Sequence, residues 1–135
     1  TTLTNPATAI RAITVGAYDS LTFSYADFSG RGPLTGESAS AVKPDLVAPG
    51  VNVSTISVGG SVMQFSGTSF ATPFVTGSAA LLMEWGIVKG QDLYLYGEKV
   101  KAYLRRGARE LPGYDRWPNG ELGYGRLCLE SSLPD

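Results

Sequence analysis

The chain contains no histidine. That removes the commonest general base and the commonest metal ligand together. Cysteine occurs once, at Cys128, which excludes an internal disulfide framework. With no imidazole to activate its thiol, Cys128 reads as a small buried hydrophobe. Neither sign of charge dominates. Eleven basic and twelve acidic residues leave a net charge of -1, so nothing draws the chain to a nucleic acid or a membrane surface. No run reaches about 18 uninterrupted apolar residues, and no membrane span is expected. The opening Thr1-Thr2-Leu3-Thr4-Asn5-Pro6 has neither a charged n-region nor an apolar h-region, so it is no signal peptide. Without an initiator methionine it reads as the start of a fragment or processed product. Fixed-period repeats and low-complexity tracts are absent.

What is there is a globular composition. The 135 residues are 43% hydrophobic and 17% charged, which allows one domain with a core but not two large ones. Seventeen glycines and eight prolines suit short strands joined by tight turns. Asn5-Pro6 marks a turn. Residues 9–17 are rich in β-branched side chains and read as a buried strand ending near Gly16. Residues 21–28 read as a short strand or packed loop, 29–33 as a loop, and 34–42 as a polar surface excursion. Leu46-Val47-Ala48 reads as a buried strand stopped by Pro49-Gly50. Residues 51–56 alternate as a half-exposed strand, 57–60 turn, and 61–65 return.

Residues 74–85 are apolar or small on nearly every face, the pattern of a helix buried all round. Gly86 is its expected stop. Gly77, Ser78, Ala79 and Ala80 would let its backbone approach a sheet closely. Residues 98–106 form an amphipathic helix with Val100, Tyr103 and Leu104 on one stripe. Lys101, Arg105 and Arg106 complement its C-terminal dipole, and Gly107 is its expected C′ stop. Residues 111–119 are loop. Strands followed by these helices make part of an α/β sheet protein. A fully buried helix also needs cover from beyond these residues.

The chemistry gathers in Phe65-Ser66-Gly67-Thr68-Ser69-Phe70-Ala71-Thr72-Pro73. A small-residue turn runs straight into the long apolar segment, with Pro73 in what reads as the first helical turn. We read Ser69 as a nucleophile at the mouth of a helix. There its own N–H and the positive end of the dipole lie near a developing oxyanion. A serine hydroxyl also needs a base to take its proton, and none is at hand. The bland alternative for Gly-Thr-Ser is a helix N-cap.

The longer pattern resembles the subtilisin family of serine proteases. Gly67, Thr68, Ser69, Ala71 and Pro73 match the family's Gly-Thr-Ser-x-Ala-x-Pro motif place for place. Upstream, Lys43-Pro44-Asp45-Leu46-Val47-Ala48-Pro49-Gly50 looks like its Lys-Pro-Asp-x-x-Ala-Pro-Gly segment. Pro6-Ala7, Val15-Gly16-Ala17 and Phe28-Ser29-Gly30-Arg31-Gly32-Pro33 are similar to further family segments. Downstream, Gly123-Tyr124-Gly125 resembles the entry to its final helix. The likeness covers roughly the whole chain in the family's order.

The resemblance implies a partial subtilisin-like α/β fold, a mainly parallel sheet with a buried central helix after the serine turn. It makes residues 1–135 the C-terminal, serine-bearing portion of a peptidase domain. Ser69 becomes the acyl-forming nucleophile, with its backbone N–H as an oxyanion donor. Phe28, Phe65, Ser66, Gly67 and Thr68 become candidate substrate-contacting walls. For Phe28 and Phe65 core packing is the alternative, and for Thr68 structural support. The family's Asp, His and oxyanion Asn all precede Pro6-Ala7, so they would come from a missing N-terminal part. Asn5 is no credible substitute, and Asp19, Asp27 and Asp45 sit in no triad-like context. Phe74 and Phe70 stand where histidine and methionine are common in the family.

The implied function is serine endopeptidase of the parent protein on peptide or protein substrates, with the isolated chain inactive. The alternative is a pseudo-protease or peptide-binding module. The likeness also implies a secreted or cell-surface location. Calcium follows from the family alone, since no carboxylate cluster here spells a calcium loop. An exposed half-core would favour oligomers.

Overall fold

In the computed structural model residues 2–33 and 42–134 are described. The surface excursion expected before Val42 lies outside them. The central sheet is built around the two most buried strands. β1 (Val15–Asp19) and β3 (Leu46–Pro49) pair in parallel, Val15 opposite Leu46 and Tyr18 opposite Pro49. Leu46, Val47 and Ala48 are wholly buried, as befits a strand covered on both faces. β2 (Ser24–Tyr25) adds an antiparallel edge to β1. Near the chain's end Arg126 bridges Val47 in parallel. β4 (Val53–Ile56) and β5 (Val62–Phe65) form a separate antiparallel hairpin, Val53 opposite Phe65.

Helix α1 (Thr68–Met83) leaves the hairpin directly and continues as a π-helical turn, Glu84–Val88. α2 (Gly97–Gly107) and the short α3 (Leu129–Ser132) follow. The partial α/β architecture is the expected one, and its parallel portion is the β1–β3 pair. The 21-residue run from Thr68 to Val88 is long and apolar enough to cross a membrane by length and composition alone. It packs instead along the central sheet, where Ala71, Val75 and Leu82 join Ala17, Leu46 and Ala48 in one core.

Several local expectations are corrected. The first strand starts at Val15, not at residue 9, and Ile10 is exposed. The carbonyls before it are taken by side chains. Lys43 Nζ donates to Ala12 O at 2.7 Å, and Lys101 Nζ donates to Ile10 O and Ala12 O. With these carbonyls turned to ammonium groups, the ladder begins only at Val15. α1 is buried along its sheet face, and Phe74, Leu81 and Met83 are exposed on the face for which cover from beyond these residues is expected. Within these residues only the sheet side is covered.

Close approach occurs at Gly50, where an added Cβ would lie 2.6 Å from Ala17 Cβ and 3.3 Å from Ala71 Cβ; Gly77 faces open space. Gly86 does not stop the helix. It is buried under Leu95, whose Cδ2 would lie 2.7 Å from an added Cβ. The turn comes four residues later at Gly90, φ +74°. Gly107 ends α2 by packing against Ser132 and not by a left-handed cap.

Asp45 organises the sheet's far side. It is fully buried, and its carboxylate accepts from Thr14 N–H at 2.6 Å, Lys43 Nζ at 2.8 Å and the Arg105 guanidinium. Lys101 Nζ lies 3.2 Å away. Burial pushes the Asp45 carboxyl up, but the bonds from Lys43, Thr14 and Arg105 outweigh it and hold the group below the usual carboxylate range. Lys101 is displaced downward, first by burial. One carboxylate thus ties β3, the 10–14 segment and α2 together.

Candidate active site

The turn before α1 is shaped by its backbone. Gly67 is the helix N-cap with φ +153°, a conformation essentially confined to glycine. Its N–H donates to Gly50 O at 2.8 Å, and its carbonyl accepts from Phe70 N–H at 3.1 Å and Ala71 N–H at 3.3 Å. No side chain caps the helix, so the serine of Gly-Thr-Ser is not an N-cap. Ser69 is the second helical residue and is exposed. Among the described residues neither its hydroxyl nor its N–H makes a hydrogen bond.

The helix starts at Thr68, five residues before Pro73. Pro73 therefore lies in the second turn, not the first. There it has no N–H to give the Ser69 carbonyl, its partner four residues back. The interruption falls on the residue singled out for chemistry.

Openings flank the turn. On one side Phe28, 51% exposed, shares a cleft of about 240 Å³ with Thr68, Gly30 and the 2–7 segment. On the other side Phe65 and Phe70 stack with centroids 5.1 Å apart and planes 11° apart. Phe70 also borders a groove of about 300 Å³ with Pro73, Phe74 and β4. Phe28 and Thr68 thus come together, as do Phe65 and Phe70. Ser66 turns its Oγ to Asn52 N–H at 2.9 Å.

The other polar candidates are engaged elsewhere. Asn5 Oδ1 accepts from the Thr8 hydroxyl at 2.6 Å, Asp19 Oδ1 from Leu21 N–H at 2.8 Å, and Asp45 is the buried hub. Cys128 is half-buried rather than buried, 3.2 Å from Ser131 Oγ. Burial raises its thiol, and the Ser131 contacts outweigh that and leave it below the ordinary value. Among the described residues no cluster of three or more acidic or sulfur ligands could hold a metal.

Sequence reasoning missed Gly50 and Asn52 as supports of the turn. Asn52 sits in the left-handed region, φ +49°. The signal was an asparagine shortly after Pro49-Gly50, one of the few residue types that enters that region readily.

This arrangement has known counterparts. The model of the subtilase family matches residues 1–125. The chain is 31% identical to the serine protease AprX of Bacillus subtilis over 156 aligned positions, covering 98% of this chain and 32% of AprX. It is 38% identical to the membrane-bound transcription factor site-1 protease of Mus musculus, covering 95% of this chain and 12% of that protein. Among solved structures it superposes on the Clostridium perfringens CspB protease with TM-score 0.89 and 43% identity, over 97% of this chain and 27% of CspB. The prenylagaramide maturation protease PagA gives TM-score 0.75 at 30% identity, over 95% of this chain and 43% of PagA. The chain spans a third or less of the two curated relatives and under half of these structures. The serine turn, the strands that carry it and the matched residues place this chain in the subtilase family of peptidases.

Proposed function

We propose that this chain is the nucleophile-bearing part of a serine-type endopeptidase. Ser69 Oγ attacks a peptide carbonyl carbon, and the oxyanion forms beside the Ser69 N–H at the positive end of α1. The C–N bond then breaks, the acyl group stays on Oγ as an ester, and water releases it. The proton leaving Oγ passes to a base and on to the departing amine. That base must come from outside these residues, because the chain has no histidine. The same outside part supplies the family's Asp and oxyanion Asn. One observation carries the reading: an exposed serine in the family's motif, with its hydroxyl and amide both unengaged among the described residues.

Phe28 and Thr68 would line one side of the substrate path, and Phe65 and Gly67 the other. The substrates are peptides or proteins, and the location is secreted or cell-surface. The isolated chain is inactive, and its uncovered α1 face favours self-association. The test is fluorophosphonate labelling of the natural-length polypeptide that contains this chain, read by intact mass and peptide mapping. A single adduct on Ser69 is expected. A well-folded protein that takes no label would instead be a pseudo-protease.

A further inference from the structure

We infer that Ser66 is a positioning residue that locks the serine turn, rather than a wall that touches substrate; the inference rests on Ser69 being the nucleophile. The turn hangs between the end of β5 and the start of α1, and two hydrogen bonds tie it to the β3–β4 junction. Gly67 N–H donates to Gly50 O at 2.8 Å, backbone to backbone. Asn52 N–H donates to Ser66 Oγ at 2.9 Å, so here a side chain stands in for a strand acceptor. The bond falls just beyond the last hairpin pair, Val53 opposite Phe65.

Both bonded segments adopt unusual backbone geometry, Asn52 at φ +49° and Gly67 at φ +153°. Without the Ser66 oxygen, the Gly67–Gly50 bond would be the one hydrogen bond left between the turn and the β3–β4 junction among the described residues. The Ser69 amide and hydroxyl are two residues further on. Small shifts of the turn reach them directly, and placement errors of this kind lower rate more than binding.

The experiment uses the natural-length polypeptide with Ser66→Ala and Ser66→Thr, the second of which keeps the acceptor. Ser66→Ala is expected to lower kcat and the fluorophosphonate labelling rate about fivefold, the worth of one hydrogen bond. KM stays within about twofold, since uniform binding is untouched, and Ser66→Thr restores kcat. Amide exchange at Asn52 and Gly67 rises in Ser66→Ala and not in Ser66→Thr.

A loss confined to KM would make Ser66 a substrate contact and overturn the inference. So would an unchanged kcat, or unchanged exchange at Asn52. If the wild-type protein takes no label, the nucleophile reading fails and the catalytic role of Ser66 goes with it. Exchange at Asn52 would still report whether the clamp exists, which keeps the two failures distinguishable.

Discussion

The Asp45 hub and the Ser69 turn treat their polar groups in opposite ways. Around Asp45 a fully buried carboxylate meets three cations and a backbone amide, and the two lysines also take backbone carbonyls. At Ser69 an exposed hydroxyl and amide have no partner among the described residues, on a helix whose outer face is uncovered. Buried charge must be satisfied or it costs heavily. Donors meant for a reacting atom must be left unsatisfied until it arrives. The hub is therefore where loss of one partner should cost stability, and the turn is where the proposed chemistry would be lost.

The sharpest break between them comes from Ser69→Ala in the natural-length protein. It should abolish labelling and lower kcat by about 10⁶, the order found when subtilisin itself loses its serine. The melting temperature should stay within about a degree, and a large drop would mean that Ser69 also supports the fold. Asp45→Asn should do the reverse. It leaves Lys43, Lys101 and Arg105 without their counter-charge and should cost about 3–5 kcal/mol in denaturant unfolding. Labelling per folded molecule should be unchanged.

The pH dependence follows from the depressed Asp45 carboxyl. Its contribution is fully present above the unfolded value of about 3.9. It is lost as pH falls through the lower folded value. An acid transition unaffected by Asp45→Asn would remove the hub from this role.

Gly50→Ala tests how the turn is seated on the sheet. The new Cβ would sit 2.6 Å from Ala17 Cβ and 3.0 Å from Gly67 O. It should cost about 1–3 kcal/mol by overpacking and slow labelling as well, since the turn must shift. Labelling at the wild-type rate would show that the contact does not set the turn.

The smallest effect is expected at Leu81. It is 55% exposed here, so Leu81→Ala in the isolated chain should change stability by no more than about 0.5 kcal/mol. In the natural-length protein the same change should cost clearly more if another segment covers α1. Equal small losses in both would leave that face uncovered.

The hairpin before the serine turn was legible because alternation is local, and the observed β4 and β5 lie within the expected ranges. Ser69 was singled out by the match to the family's motif, since turn chemistry alone also allows a helix cap. The misses arise where distant residues decide. Residues 9–12 carry strand-like side chains, but ammonium groups from Lys43 and Lys101 take their carbonyls. Gly86 and Gly107 look like stops, yet each makes room for a neighbour, Leu95 and Ser132. Of the small residues Gly77, Ser78, Ala79 and Ala80, Ala79 packs against the core while Gly77 faces open space, and the tightest approach falls at Gly50. The Ser66–Asn52 bond joins residues 14 positions apart, beyond what local spacing reveals.

Gly50 marks where the serine turn sits tightest on the sheet, since a Cβ there would run into Ala17, the Gly67 carbonyl and Ala71. Repulsion at such separations changes steeply with distance, while attraction changes slowly. A side chain at position 50 would therefore have to displace either the turn or the sheet, and the space left between them fits a glycine.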